Sequence, residues 1–313
     1  MNMLKLSRPV LCLALLVVGA RAEPLKNQEV AADAKWVLHL DLDALLNTKV
    51  GKELGERLLG PKLEAGQAQL KEKLGVDYDW HDLHGFTLYG RDYRAPREGR
   101  GVLLIHSGLD LKAGLEAAMK KQGSSGPVAA LQEGADALYS LDHKAYAALA
   151  PKQPAIIGQS QDQVEEARAV ILGKRAGLSG EGRDELQVPK DRNGAFIFVA
   201  AARGFANEAP LPPQAQVLRK ADGLQATLRE SGDNLLLNLA LLTKDSEVSG
   251  QIQQVILGLK ALVAMGANDR PEVQRLAQAI DVGTQGDRVE VTLKIPVQLA
   301  MQKLREQVRK QGL

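Results

Sequence analysis

All five histidines of this 313-residue chain, His39, His81, His84, His106 and His143, fall in its N-terminal half. His39 shares with Asp41 and Asp43 a run of alternating residues, so on a strand the three side chains line one face. Further on, His81-Asp82-Leu83-His84 places two imidazoles near each other with an acid between them. Imidazole nitrogens and carboxylate oxygens suit zinc and other divalent cations. His39, Asp41, His81, His84 and His106 are therefore the candidate metal ligands, provided the strands carrying His39 and His106 are neighbours. Two plainer readings compete. A polar row is also what the solvent face of an antiparallel strand shows, and 77–84 has loop character. Asp41 and Asp43 make a poor glycosidase pair, because such carboxylates stand roughly 5–9 Å apart across a substrate and come from different elements.

Other chemistry is not signalled. The nearest thing to a phosphate-binding turn is Gly158-Gln159-Ser160, and the helix it opens carries Asp162, Glu165 and Glu166, which would repel an anion. There is no Gly-x-Ser-x-Gly elbow, Ser-x-x-Lys pair, calcium loop or His-Glu-x-x-His motif. No catalytic residue and no cofactor is expected.

The beginning of the chain reads as an export signal. Lys5 and Arg8 precede an apolar run from Val10 to Gly19, and Ala20-Arg21-Ala22 supplies small residues at the two positions a signal peptidase reads. The run is half the roughly twenty residues that span a bilayer. The one cysteine, Cys12, lies inside it, so neither a lipid anchor nor a disulfide is expected in the processed chain. Cleavage after Ala22 leaves Glu23–Leu313, a periplasmic or secreted protein with no later transmembrane segment. Processing leaves 37 basic and 38 acidic residues, a net of −1, so nucleic acid is not an expected partner. With no disulfide, stability must come from buried apolar surface. Aromatics are 4%, too few for stacking platforms.

Around these residues the periodicity predicts an α+β protein. Trp36, Leu38, Leu40 and Leu42 alternate with Val37, His39, Asp41 and Asp43 in a half-buried strand. Helical spacing follows through Leu46, Val50, Leu54 and Leu58, with a break at Gly60-Pro61 and a second helix to Leu74. Strands are predicted over 85–91 and 101–107, then a helix capped by Asp110. A hairpin over 128–141 and a strand at Ala155-Ile156-Ile157 come next. Ser160 and Gln163 form a capping-box pattern for the following helix. Residues 177–193 read as a linker. Beyond it come a strand at 196–199, a hairpin of 223–230 with 234–242, a long apolar helix from Val248 to Val263, and another helix opened near Asp269 and Glu272. A strand through Val289–Ile295 and a basic C-terminal helix end the chain. Both halves share an order of strand, helix, strand pair, helix, strand. This predicts two tandem split-βαβ halves, 23–176 and 194–313, with largely antiparallel sheets and helices on one face.

The strand Trp36–Asp43, the segment Lys49-Val50-Gly51-Lys52 and the closing Val289–Pro296 resemble secreted bacterial proteins of unknown function. The resemblance implies secretion and no known activity. Three functions remain open: a non-catalytic protein that binds a partner through its paired α+β halves, a metal-dependent hydrolase on the histidine-rich half, and a carrier of an apolar ligand. The carrier requires an aliphatic cavity of a few hundred Å³.

Overall fold

In a computed structural model the described residues are 23–75, 77–93, 101–122, 126, 128–134, 136–142, 144–179, 185–191, 195–205, 213–266 and 271–310. The signal segment with Cys12, Ala20 and Ala22, and also His143, lie outside them. The strands are β1 (Trp36–Asp41), β2 (Leu83–Gly90), β3 (Gly101–Ser107), β4 (Val128–Gln132), β5 (Ala137–Leu141), β6 (Ala145–Leu149), β7 (Ala155–Gly158), β8 (Phe198–Arg203), β9 (Gly223–Ser231), β10 (Asn234–Leu242), β11 (Ile280–Gln285) and β12 (Arg288–Pro296). The α-helices are α1 (Leu42–Leu46), α2 (Lys49–Lys52), α3 (Gly60–Leu74), α4 (Leu111–Gln122), α5 (Gln161–Ile171), α6 (Ser246–Gly266), α7 (Pro271–Gln278) and α8 (Val297–Lys310).

The α+β class and the antiparallel pairing are as the periodicity predicts. The twelve strands form one sheet in the order β11-β12-β10-β9-β8-β1-β2-β3-β7-β6-β5-β4. The halves are joined edge to edge where β1 pairs with β8, from Trp36↔Ala202 to Leu40↔Phe198. Within each half the pairs are antiparallel, without the parallel neighbours that a split βαβ order brings. Most consecutive strands are neighbours, which keeps connections short, and the order departs from this within each half only at β3–β7 and β10–β12.

Several local expectations are met at atomic detail. Asp110 accepts the Ala113 N–H at 2.9 Å, and Ser160 accepts that of Gln163 at 3.3 Å while Gln163 Oε1 takes the Gln159 N–H at 2.9 Å. Gly60-Pro61 does not break the helical stretch. Gly60 is helical, and the seven residues before it, Glu53–Leu59, form π turns that lead directly into α3. Pro61 has no N–H to offer the preceding turn, so wider turns there cost less than in a regular helix. The described residues of the expected linker include two that are anchored: Leu178 and Leu186 are buried in the first core, and Ala31 bridges Gly177.

Helices cover both faces of the N-terminal half, a correction to the expected single layer. Leu111, Leu115 and Met119 of α4 pack with Ile105, Ala137, Tyr139, Leu149 and Ala155. Val164, Ala167 and Val170 of α5 pack with their sequence neighbours Leu104, Leu138, Ala148 and Ile156, which point the other way. That is why Ala137 to Ser140 are all buried. In the C-terminal half α6 packs Val248, Ile252 and Ile256 against Leu241, Val282 and Val289. It lies on the same sheet face as α4. Among the described residues α6 is the one helix long and apolar enough to cross a membrane, although the sequence predicts no transmembrane segment there. Here its N-terminal half lies on the sheet, and Lys260 Nζ donates to the Ile280 carbonyl at the edge strand.

Leu104 is fully buried between the two layers, whereas Leu38, on the opposite sheet face, is 39% exposed. Leu104→Ala is expected to lower unfolding stability by about 3 kcal/mol and Leu38→Ala by under about 1 kcal/mol. Urea midpoints of the two variants check this.

Candidate functional site

The central strands are inverted relative to expectation. His39 is 2% exposed and Asp41 is fully buried, while Leu38, next to His39 in the strand, is 39% exposed. The polar row of β1 is therefore not a solvent face. It belongs to an inner face that also holds Thr87, His106, Gln225 and Thr227, all buried. The N-terminal segment 23–34 and residues 177–179 and 185–188 pack over this side, with Val30, Ala31, Ala34, Leu178 and Leu186 in the same core as Val37, Tyr89 and Ala201.

Under that cover, three side chains form a chain of hydrogen bonds. His39 Nε2 lies 2.9 Å from the Glu23 carbonyl oxygen, and its Nδ1 lies 2.9 Å from Thr87 Oγ1. Thr87 Oγ1 is in turn 3.0 Å from His106 Nε2. A carbonyl only accepts, so neutral His39 carries its proton on Nε2 and accepts at Nδ1. Thr87 then donates to His39 and accepts from His106 Nε2–H. This leaves His106 Nδ1 bare, with Glu23 Oε1 and Glu29 Oε2 each 3.7 Å away. Burial lowers the pKa of His39 and takes that of His106 down to about 4, so both rings are neutral at pH 7. Burial also raises Glu29, whose Oε2 has no hydrogen-bond partner. Asp41 Oδ1 caps α1 by accepting the Ala44 N–H at 2.7 Å, and its buried Oδ2 has no well-formed partner. Burial raises its pKa to about 6.

The remaining candidate ligands stand apart from this chain. His84 Nδ1 is 3.0 Å from Asp43 Oδ2, and exposed His81 contacts Asp79 at 2.7 Å while its ring lies 3.7 Å from that of Trp80. β2 runs between the strands of His39 and His106, so the two rings meet through Thr87, with centroids 6.1 Å apart. Among the described residues no three His, Cys, Asp or Glu side chains gather as metal ligands. Thr87, set across from His39 in register, gives the two histidines their buried partner, and no local sequence pattern marks it.

The other face is apolar and only partly open to solvent. Its register runs Leu237↔Leu228↔Phe198↔Leu40↔Phe86↔Ile105 across six strands. A second row runs Leu239↔Ala226↔Ala200↔Leu38↔Leu88↔Leu103. These side chains are mostly half-buried, and Leu38 at the centre is exposed. At 4.7–4.9 Å per strand the apolar strip is about 24 Å wide. Its Ile105 end passes under α4, and α6 covers the sheet beyond its other end. Gly90 belongs here too: a Cβ on it would stand 2.5 Å from the Trp36 ring, which lies across this strand end and donates Nε1–H to the Asp92 carbonyl at 2.6 Å. Beyond the strip, the last turns of α6 expose Leu262 (61%), Val263 and Met265 (70%).

Cavities among the described residues have another character. One of about 240 Å³ is lined by Gln225, Thr227, Asn238, Arg288, Glu290 and Thr292 with Phe196 and Leu239. A larger open cleft of about 1050 Å³ is lined by Lys35, Glu185, Arg203, Asp222, Lys244 and Asp287 among others. Neither is the aliphatic chamber that a carrier requires.

No known protein family and no curated protein matches the chain. Among solved structures it is similar to TP0453. Crystal form III aligns at a TM-score of 0.45 and 12% identity, over 89% of this chain and 97% of that one. Crystal form I aligns at 0.43 and 12%, over 91% and 98%.

The neutral histidines make stability sensitive to acid. The unfolded His106 takes up a proton as pH falls through about 6.5, whereas the folded one does not until about 4. The unfolded state binds more protons in that window, so stability is lost on acidification. The His106 share of that loss between pH 7 and 5 is about 2 kcal/mol, partly offset by Asp41, whose raised pKa lets the folded state take up a proton first. His106→Gln is expected to show a smaller drop in Tm between pH 7 and 5 than the native chain, measured by thermal melts at both values.

Proposed function

We propose that this is an exported, non-catalytic binding protein whose working surface is the open apolar strip between α4 and α6. The observation that carries this reading is the outward apolar row centred on Leu38, in a sheet whose polar row is buried instead. Apolar area left open on this scale marks an interaction site on a soluble domain. Width argues for a protein partner over a carried small ligand. A strip about 24 Å across accommodates a helix or hairpin of another protein, and it is shallow, whereas a carrier encloses most of its ligand. Export is supported by the order of charge, apolar run and Ala20-Arg21-Ala22 at the start of the chain. The histidines support no hydrolase, because their hydrogen bonds go to Thr87, Glu23 and Asp43, and two of the rings are buried and neutral.

The occupant can be tested without knowing its name. The native chain and a Leu38→Glu variant are produced by export in the original host and sized under native conditions. The native chain is expected to migrate in a complex that proteinase treatment of the partner dissolves. Leu38→Glu is expected to migrate as a monomer with an unchanged Tm, since a charge in the centre of an apolar contact costs 10-fold or more in affinity. A bound species removed by organic solvent and not by proteinase would transfer the surface to lipid. Monomeric migration of the native chain, with nothing bound, would sink the proposal.

A further inference from the structure

Glu23 is the first described residue, and the signal reading makes it the first residue of the processed chain. Termini usually fray unless something ties them down. This one is tied at three points. Its carbonyl accepts from His39 Nε2 at 2.9 Å, its carboxylate contacts Lys26, and Oε1 stands 3.7 Å from His106 Nδ1. Its backbone nitrogen faces the Asp41 carboxylate, where its N–H helps to hold the charged form. Asp41 is fully buried, and Oδ2 still lacks a hydrogen bond of good geometry. A buried carboxylate oxygen without a partner is expensive. The single amide hydrogen of Glu23 leaves it unsatisfied.

Removal of the signal changes the chemistry of that nitrogen. Hydrolysis of the Ala22–Glu23 bond consumes one water: its hydroxyl ends on the Ala22 carbonyl carbon and a hydrogen on the Glu23 nitrogen. The freed amine takes up a proton from solvent at neutral pH. An amide with one hydrogen and no charge becomes an ammonium with positive charge and hydrogens free to turn toward Oδ2.

We propose that Asp41 is the receptor for the processed N-terminus: signal cleavage creates a Glu23 α-ammonium that forms a buried ion pair with the Asp41 carboxylate and locks segment 23–34 over the inner face of the sheet. The inference rests on the export reading for the cleavage position and is independent of what binds the apolar strip. The other titratable groups around the pair are Asp43 and the Glu23 side chain, with His39 on the same strand face and Lys26 and Glu29 beside Glu23. The nearby acids, Asp43 and Glu23, add to the field that favours an ammonium there. A buried pair of this kind stabilises little relative to apolar packing, but breaking it from one side leaves an uncompensated charge. In that respect it acts as a marker of processing: only the cut chain completes the cover.

The test compares chains beginning at Glu23 with chains beginning at Ala22, each carrying Asp41 or Asp41→Asn. All four are released from a fusion by a protease that leaves the chosen first residue. N-terminal sequencing of exported protein separately establishes where the signal is cut, so an error in the cleavage position is distinguishable from failure of the pair. For the chain starting at Glu23, the extra Ala22 is expected to lower Tm by roughly 6–12 °C, and Asp41→Asn to do the same. The two changes together should cost no more than either alone, because each removes the same interaction. Additive losses, or no loss on adding Ala22, would overturn the proposal. Carboxyl NMR gives a readout that plain destabilisation would not move. Asp41 is expected to titrate near 6 when the preceding residue keeps the nitrogen an amide, and below the ordinary carboxylate range when Glu23 is first. Equal titration in the two chains would also overturn it, even where Asp41→Asn fails to fold.

Discussion

Burial of the polar side of β1 is the constraint on which the rest of this structure depends. His39, Thr87 and His106 can go inside because each finds a hydrogen bond in the ladder β1-β2-β3 or in the Glu23 carbonyl, and both imidazoles stay neutral. Unpaired, the same three groups would cost several kcal/mol. Their partners come from the strand next door and from a segment sixteen residues earlier in the chain. Once segment 23–34 and the stretch around Leu178 and Leu186 cover this side, period-two alternation leaves Leu38, Leu40 and Leu88 no choice of direction. The open apolar strip is thus a consequence of where the polar residues found partners.

Continuity of the sheet sets the size of that strip. Pairing of β1 with β8 places the apolar rows of both halves in line, and the strand edges that two separate sheets would expose are consumed in the join. Helices then close the ends: α4 over β3, β5, β6 and β7, and α6 over β10, β11 and β12. The middle strands β1, β8 and β9 carry inner-face partners and leave their outer side chains half open. A sheet that met only the demands of folding would bury this area. Its partial exposure is the feature on which the proposed binding role rests.

Much of the local structure was legible in the chain. The helix starts at Asp110 and Ser160 have side-chain acceptors three residues before a free N–H, a signal contained within a few residues. The hairpin of β9 and β10 turns at Ser231-Gly232-Asp233, where Gly232 has a φ of +61°, and alternating aliphatics flank it. β6, Ala145-Tyr146-Ala147-Ala148-Leu149, escaped notice because alanine has no strand preference. Only its place between β5 and β7 makes it a strand. β11 escaped for a similar reason: Ile280-Asp281-Val282-Gly283-Thr284-Gln285 is half polar and pairs on one side alone.

The sequence by itself determined the class of the protein, the positions of most strands and helices, and the candidate residues, since capping, turn chemistry and periodicity act over a few positions. It also determined that β1 has two unlike faces. Which of them goes inside was decided only by the tertiary structure. Alternation states that leucines and polar residues part company, and hydrophobicity then sends the leucines inward unless the polar side has partners. Those partners, Thr87, His106 and the backbone of Glu23, lie 16 to 67 residues from His39 in the chain. No local pattern reports them, so the same eight residues that fix the strand leave its orientation to the fold.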